Sequence, residues 1–169
     1  MDFVESIIHD LKRTKVQAEK AIAQLPDEDL HWQPDEESNS IAIIMKHMAG
    51  NMISRWTDFL TADGEKPNRN RDGEFVDDIK SRADLMAFWD RGWSCAMNAI
   101  ESLRPTDLDR TVYIRSEPHS VPLAIVRQLG HYSSHVGQIV YIAKHRRGSD
   151  WQTLSIPRNK STSEVPRYK

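Results

Sequence analysis

Apolar side chains recur at steps of three and four residues in four separate segments of this chain. The apolar residues of the first segment are Phe3, Ile7, Leu11, Ala18, Ile22 and Leu25. Pro26 ends that repeat, and the same spacing returns over residues 41–59, 82–103 and 122–147. This spacing matches one face of an α-helix, whereas a half-buried strand would alternate every two residues. The sequence therefore predicts four amphipathic helices, each burying one face.

The segments between these helices define the predicted organisation. Residues 63–80 are rich in Gly, Asn, Asp and charge, and they are much longer than a tight helix-to-helix turn. This length predicts a long crossover between helices 2 and 3. Residues 111–122 contain TVYIR and HSVP on either side of SEP, a pattern typical of a short extended hairpin. The predicted fold class is all-α, a four-helix bundle.

The length of 169 residues fits a single domain, which we place over residues 1–169. Residues 149–169 contain two prolines and many polar side chains, so an irregular tail is expected, held on the body by Trp151 and Leu154.

Composition and charge exclude several classes of partner. Charged residues make up 28% of the chain, yet the net charge is only −2, so no broad field attracts nucleic acid or an anionic membrane. No apolar run approaches the roughly 18 residues that a membrane helix needs, and the opening MDFVESIIHDLKRTK does not match a secretory signal. A single cysteine, Cys95, excludes an internal disulfide and fits a reducing compartment. We expect a cytoplasmic protein that acts on a small molecule.

Two histidines lie four residues apart in GHYSSHVGQI, within the fourth predicted helix. This spacing places His131 and His135 on one side of the helix, where both can bind one metal ion. Among the other histidines, only His47 lies in the middle of a helix, so it is the candidate third ligand. Three imidazoles would leave one coordination position open for substrate. Spacing alone leaves a structural interpretation open, because Tyr132 and Ser133 replace the glutamate of the HExxH motif.

Three imidazoles suit zinc, nickel, cobalt or iron, and zinc or nickel is the expected cofactor. No general acid or base can be assigned, because nothing in the sequence places Glu36, Glu37 or Asp58 near a substrate.

Two segments resemble motifs of the DinB-like metal-binding proteins, especially uncharacterised bacterial members. LPDEDLHWQPDEESNSIAIIMKHMAGN is similar to the family run L-x-x-x-x-L-x-W-x-P, S-I, H-x-x-x-N, and GHYSSHVGQIVYIAK is similar to H-x-x-x-H-x-G-Q-I. The resemblance implies a four-helix bundle that binds a divalent metal through His47, His131 and His135. Residues 63–120 contribute little to it.

The resemblance also implies activities. Characterised relatives are similar to transferases that join bacillithiol or another low-molecular-weight thiol to electrophiles, to thiol-dependent isomerases, or to metal-dependent hydrolases. We expect a metal-dependent thiol S-transferase that acts on small electrophiles. The alternatives are a metal-dependent hydrolase and a non-enzymatic metal-binding stress or interaction protein. A homodimer is also expected, because such bundles often expose an apolar helix face.

Three polar residues near the histidines are candidates for supporting roles. Asn51 lies one turn beyond His47 and matches the family's H-x-x-x-N, so it can orient a ligand or a bound water. Arg127 precedes His131 by one turn and can bind an anionic substrate or the carboxylates of a thiol. Gln138 follows His135 by three residues and can reach the metal pocket. Each also has an ordinary alternative. Asn51 would then only form local hydrogen bonds, Arg127 would be a solvated surface arginine, and Gln138 would serve helix packing.

Overall fold

A computed structural model describes residues 2–160 of the chain. This part of the chain is mostly helical, with four α-helices and one two-stranded antiparallel sheet. The elements in chain order are α1 (Phe3–Ile22), α2 (Ile41–Trp56), α3 (Arg82–Glu101), β1 (Thr111–Ile114), β2 (Glu117–Ser120) and α4 (Val121–Arg147). The four predicted helices are thus present. The all-α expectation fits this part of the chain apart from the small sheet, which lies where the sequence predicts a short hairpin.

Each helix begins at a polar residue whose side chain accepts a hydrogen bond from a free backbone amide. Asp2 accepts from the amide of Glu5 at the start of α1. Ser40, Ser81 and Ser120 do the same for α2, α3 and α4. Such caps satisfy amides that have no partner inside the helix. The first turns of the helices are therefore fixed by local sequence.

The helices pack in pairs around one apolar core. α1 packs against α3 and α4, and α2 packs against α3 and α4. The largest fully buried side chains include Trp89, Trp93, Tyr132, Met45 and Met48. Burying each of these side chains contributes on the order of 1.5–3 kcal/mol. Since α2 and α4 are neighbours, His47 and the pair on α4 are brought to the same region. None of the helices in residues 2–160 is long and apolar enough to cross a membrane.

The connection from α2 to α3 covers residues 57–81, so it is long, as predicted for residues 63–80, and it contains a short 3₁₀ turn, Asp72–Phe75, that packs on α2. The tail after α4 agrees with its predicted contacts as far as residue 160. Trp151 and Leu154 pack against the core, and the amide of Gln152 donates to Oε1 of Gln24 at 2.8 Å. Residues 161–169 of the predicted tail lie outside the described residues.

The predicted hairpin is formed by β1 and β2, but its turn is Arg115–Ser116 and not the SEP segment as a whole. Both turn residues have positive φ angles, 55° and 63°, which residues other than glycine rarely adopt. The carboxylate of Asp63 accepts hydrogen bonds from both of their amides, at 2.9 and 2.7 Å. This anchor offsets the strain and fixes the position of Arg115.

The closest approach of α2 and α3 depends on Gly92. A Cβ atom at this position would lie 2.7 Å from Cα of Ala49, and backbone cannot move aside as a flexible side chain can. We expect Gly92→Ala to lower the free energy of unfolding by about 1–3 kcal/mol, as overpacking usually does. Chemical denaturation measures this. The matched control is Gly137→Ala on α4, where a Cβ would meet nothing within 4 Å and alanine favours the helix. Equal stability of Gly92→Ala and the unmodified protein would contradict the expectation.

Candidate metal centre

Three histidine rings converge between α2 and α4. Nε2 of His131 lies 3.4 Å from Nε2 of His47 and 3.1 Å from Nε2 of His135. All three nitrogens lie within 4.8 Å of one another, and no other group of three or more potential ligands occurs in residues 2–160. His47 is buried, and the other two are half-buried. The structure thus brings together the three histidines that the sequence singled out.

The outer nitrogens of two rings are held by fixed acceptors. Nδ1 of His47 donates to Oε2 of Glu74 at 2.9 Å, and Nδ1 of His135 donates to Oε1 of Gln138 at 2.8 Å. Each of these rings therefore turns the lone pair of Nε2 toward His131. A single proton on His131 Nε2 can satisfy only one of the two lone pairs that face it. A cation shared by the three Nε2 atoms would satisfy all of these lone pairs, whereas hydrogen bonds among the rings alone would not.

The protonation states agree with this interpretation. Burial lowers the pKa of His131 to about 3, and the neighbouring His135 and His47 rings add to the effect. Burial also lowers the pKa of His135, although its hydrogen bond with Gln138 acts in the opposite direction. Both rings are therefore neutral at pH 7. Neutral imidazole is the form that binds a metal.

The spacing of the nitrogens also fits a divalent ion. A tetrahedral zinc ion about 2.0–2.1 Å from each imidazole nitrogen would hold those nitrogens about 3.3 Å apart. The distances from Nε2 of His131 to the other two Nε2 atoms, 3.1 and 3.4 Å, lie on either side of this value. The donor set is that of three-histidine sites with an open fourth position.

A buried ion-pair network lies on the Nδ1 side of the His47 ring, away from the other two histidines. Arg69 donates to both carboxylate oxygens of Glu74 at 2.7 Å, and it also contacts Glu65 at 3.2 Å. Burial raises the pKa of Glu74, but the hydrogen bonds from His47 and Arg69 outweigh that and leave its pKa below the ordinary value. Gly50 provides the space, since a Cβ there would lie 2.6 Å from Oε1 of Glu74. An ionised carboxylate behind a histidine fixes the ring and increases its basicity.

Asn51 has a partner other than His47. Its Oδ1 accepts from the hydroxyl of Tyr132 at 3.2 Å, and that hydroxyl accepts from Nε1 of Trp56 at 2.9 Å. Asn51 is buried and lines the cavity beside the histidines. The local hydrogen-bonding alternative raised by the sequence does not describe this contact, because Tyr132 lies on α4, and Asn51 also faces the cavity.

A cavity of about 410 Å³ lies over the three histidines. Its other lining residues are Asn51, Arg55, Arg69, Arg71, Phe75, Arg115, Arg127 and Gln128. Arg127 therefore faces the cavity although it is exposed, whereas Gln138 contacts the outer edge of His135 and does not line it. No carboxylate belongs to this lining within the described chain, and Glu36, Glu37 and Asp58 are not part of it. The volume suits a small molecule.

Comparisons with known proteins give a family and a fold. A family model described as "Protein of unknown function (DUF1572)" matches residues 1–160. No curated protein matches the sequence. Among solved structures, the chain is similar to the crystal structure of a conserved protein from Enterococcus faecalis, with a TM-score of 0.65 and 14% sequence identity. That match covers 85% of this chain and 96% of the other. At this identity, the likeness concerns the fold alone.

Proposed function

The chain belongs to the DUF1572 family of proteins of unknown function, and from its own residues we propose that it is a divalent-metal-dependent enzyme. We further propose that its helices form a four-helix bundle of the DinB-like kind. The observation that carries the proposal is the convergence of Nε2 of His47, His131 and His135 beside a cavity of small-molecule size. Three protein ligands leave a position for substrate, which is the arrangement of catalytic sites and not of closed structural ones.

The reaction proposed is transfer of a low-molecular-weight thiol to a small electrophile. A divalent cation held by the three imidazoles would lower the pKa of a bound thiol and so supply the nucleophile at neutral pH. The thiol proton passes to solvent, a carbon–sulfur bond forms, and the leaving group departs with the electron pair of its bond to carbon.

The residues of this chain keep the site in place for that reaction. Glu74 and Gln138 orient two of the ligand rings. Phe75 stacks on the His47 ring, with 4.7 Å between ring centroids, and excludes water from that side. The lining described above lacks a carboxylate that could accept a proton from attacking water or return it to a leaving group. This favours thiol transfer over the hydrolase alternative, because cleavage of an ester or amide also needs a group that protonates the leaving group, whereas attack by a thiolate on an electrophile with a good leaving group does not.

A conjugation assay tests the proposal. Metal-loaded protein is mixed with bacillithiol and a monochlorobimane-type electrophile, and conjugate formation is followed by fluorescence. We expect conjugation to be faster with the unmodified protein than with His47→Ala, and unchanged in His119→Ala, which alters a half-buried histidine of β2 outside the cavity. If the unmodified protein forms conjugate no faster than His47→Ala does, the transferase proposal is wrong. Turnover of esters or amides without thiol would favour the hydrolase, and metal binding without either activity would favour a carrier.

A further inference from the structure

Arg55 is a buried arginine whose charge lacks a partner. Its side chain projects from α2, the residue is only 3% exposed, and it lines the cavity over the histidines. Nε and Nη1 of Arg55 have no hydrogen-bond partner within residues 2–160. A buried, unpaired charge is strongly unfavourable in the free protein, so such groups normally have an anion beside them.

The surroundings of Arg55 hold its guanidinium in this position. A Cβ at Gly64 would lie 2.4 Å from Nη1, so the absence of a side chain at residue 64 provides the space for the guanidinium. Burial lowers the pKa of Arg55, and the positive charges of Arg127 and Arg69 add to the effect, whereas Tyr132 and Glu65 act in the opposite direction. The guanidinium is therefore held where burial opposes its charge.

Other positive groups face the same cavity. Arg69 and Arg115 are paired with glutamates. Arg71 and Arg127, like Arg55, have no carboxylate within ion-pair distance in the part of the chain that the structure describes. Three unpaired guanidiniums and no acidic lining residue make the cavity strongly positive, in a chain whose net charge is −2. Guanidinium groups bind carboxylates and phosphates through parallel hydrogen bonds.

Two further features point to a bound ligand. Gln128 lines the cavity, and its Oε1 is buried and lacks a partner among the described residues, so it can accept a hydrogen bond from a hydroxyl or amine of the ligand. Arg115 is held at the cavity by the positive-φ turn that Asp63 anchors. Backbone strain of this kind is often retained where a side chain must be positioned for function.

We infer that this cavity binds the anionic group, a carboxylate or a phosphate, of the small molecule on which the metal centre acts, with Arg55 as its inner partner and Arg127 at its edge. The inference rests on the proposed function where it assigns the anion to the substrate. The anion site itself depends on Arg55 and does not require a metal. Three unpaired arginines favour a ligand that carries at least two negative charges.

Isothermal titration calorimetry with inorganic phosphate, pyrophosphate and succinate tests this inference, using metal-free and metal-loaded protein. We expect at least one of these probes to bind the unmodified protein, and Arg55→Met to weaken that binding by about 10- to 100-fold, the equivalent of losing a charged hydrogen bond. Tighter binding of succinate would identify a carboxylate ligand, and tighter binding of phosphate or pyrophosphate a phosphate ligand. Arg91→Met, at an exposed arginine outside this cavity, is the control and should bind like the unmodified protein.

Thermal unfolding separates a binding role from a structural one. In anion-free buffer, Arg55→Met should unfold at the same temperature as the unmodified protein or higher, because it removes an unpaired buried charge. The best-binding probe should raise the unfolding temperature of the unmodified protein and not that of the variant. Arg127→Met changes an exposed residue and should fold normally. If Arg55→Met fails to fold, reduced anion affinity of Arg127→Met still supports the inference, and unchanged affinity overturns it.

Elemental analysis of the same samples distinguishes failure of this inference from failure of the proposed function. Anion binding by a protein that takes up no metal would support the anion site and remove the metal centre. Normal metal content with no binding of any probe would overturn the anion site alone. Equal anion affinity of Arg55→Met and the unmodified protein would also overturn it.

Discussion

Replacing His131 by alanine is expected to weaken divalent metal binding by more than about 100-fold, beyond the loss typical of residues that only support a ligand. His131 is the central member of the cluster, because its Nε2 lies within hydrogen-bond distance of both other Nε2 atoms, at 3.1 and 3.4 Å. Without it, one ligand remains on each of α2 and α4, and two ligands hold an ion poorly. Competition with a chelating dye measures the affinity for zinc and nickel.

The control for this experiment is His119→Ala, which removes a histidine from β2 that does not line the cavity. Its metal affinity should equal that of the unmodified protein. Retained affinity in His131→Ala would show that the metal binds elsewhere or through other groups.

Replacing Glu74 by alanine is expected to lower the free energy of unfolding by about 3–5 kcal/mol, as breaking one side of a buried ion pair usually does. The side chains of Glu74 and Arg69 are only 7% and 5% exposed, so the remaining arginine charge would stay buried beside His47 with only its longer, 3.2 Å contact to Glu65. Urea denaturation of metal-free protein measures the change. Asp78→Ala is the control: it removes an exposed carboxylate from Lys46, whose ammonium still donates to the carbonyls of Gly73 and Val76, and it should have little effect. A loss no larger than that of the control would contradict the expected role of Glu74.

The conservative variant Glu74→Gln isolates the effect on the metal centre, since it keeps the shape of the side chain and removes the charge. We expect it to weaken metal binding by about 10- to 100-fold, because the acceptor that fixes His47 becomes weaker. Unchanged affinity in a folded Glu74→Gln variant would mean that the carboxylate does not orient the ligand.

The helices and the three histidines could be predicted because their signals are local. The predicted first and third helices, residues 3–25 and 82–103, exceed Phe3–Ile22 and Arg82–Glu101 by two or three residues at their ends. Apolar spacing identifies a buried face but not the last backbone hydrogen bond, so it extends into the turns that follow. His47 could be found for the same reason, as it lies within an apolar helix face.

The surroundings of the histidines could not be predicted, because they depend on contacts between distant segments. Glu74, Arg69 and Phe75 come from the connection between α2 and α3, which has no periodic pattern and contributes little to the family resemblance. Only its fold onto α2 brings Glu74 to His47. Arg55 gave no signal either, since a charged residue on an apolar helix is ordinarily expected to face solvent.

Three expectations concern a second copy of the chain, the cell compartment and the metal supply, none of which the structure of one chain contains. The homodimer, the cytoplasmic location and the choice between zinc and nickel stay predictions from the sequence. Metal choice depends on geometry and supply together, because three imidazoles bind several divalent ions.

Metal analysis of protein purified without chelators tests the three-histidine centre most directly. The unmodified protein is measured beside a variant in which His47, His131 and His135 are all replaced by alanine. We expect about one equivalent of zinc or nickel per chain in the unmodified protein and none in the variant, as a single shared ion requires. A folded, unmodified protein that takes up no divalent metal, or a variant that retains the same amount, would contradict the account.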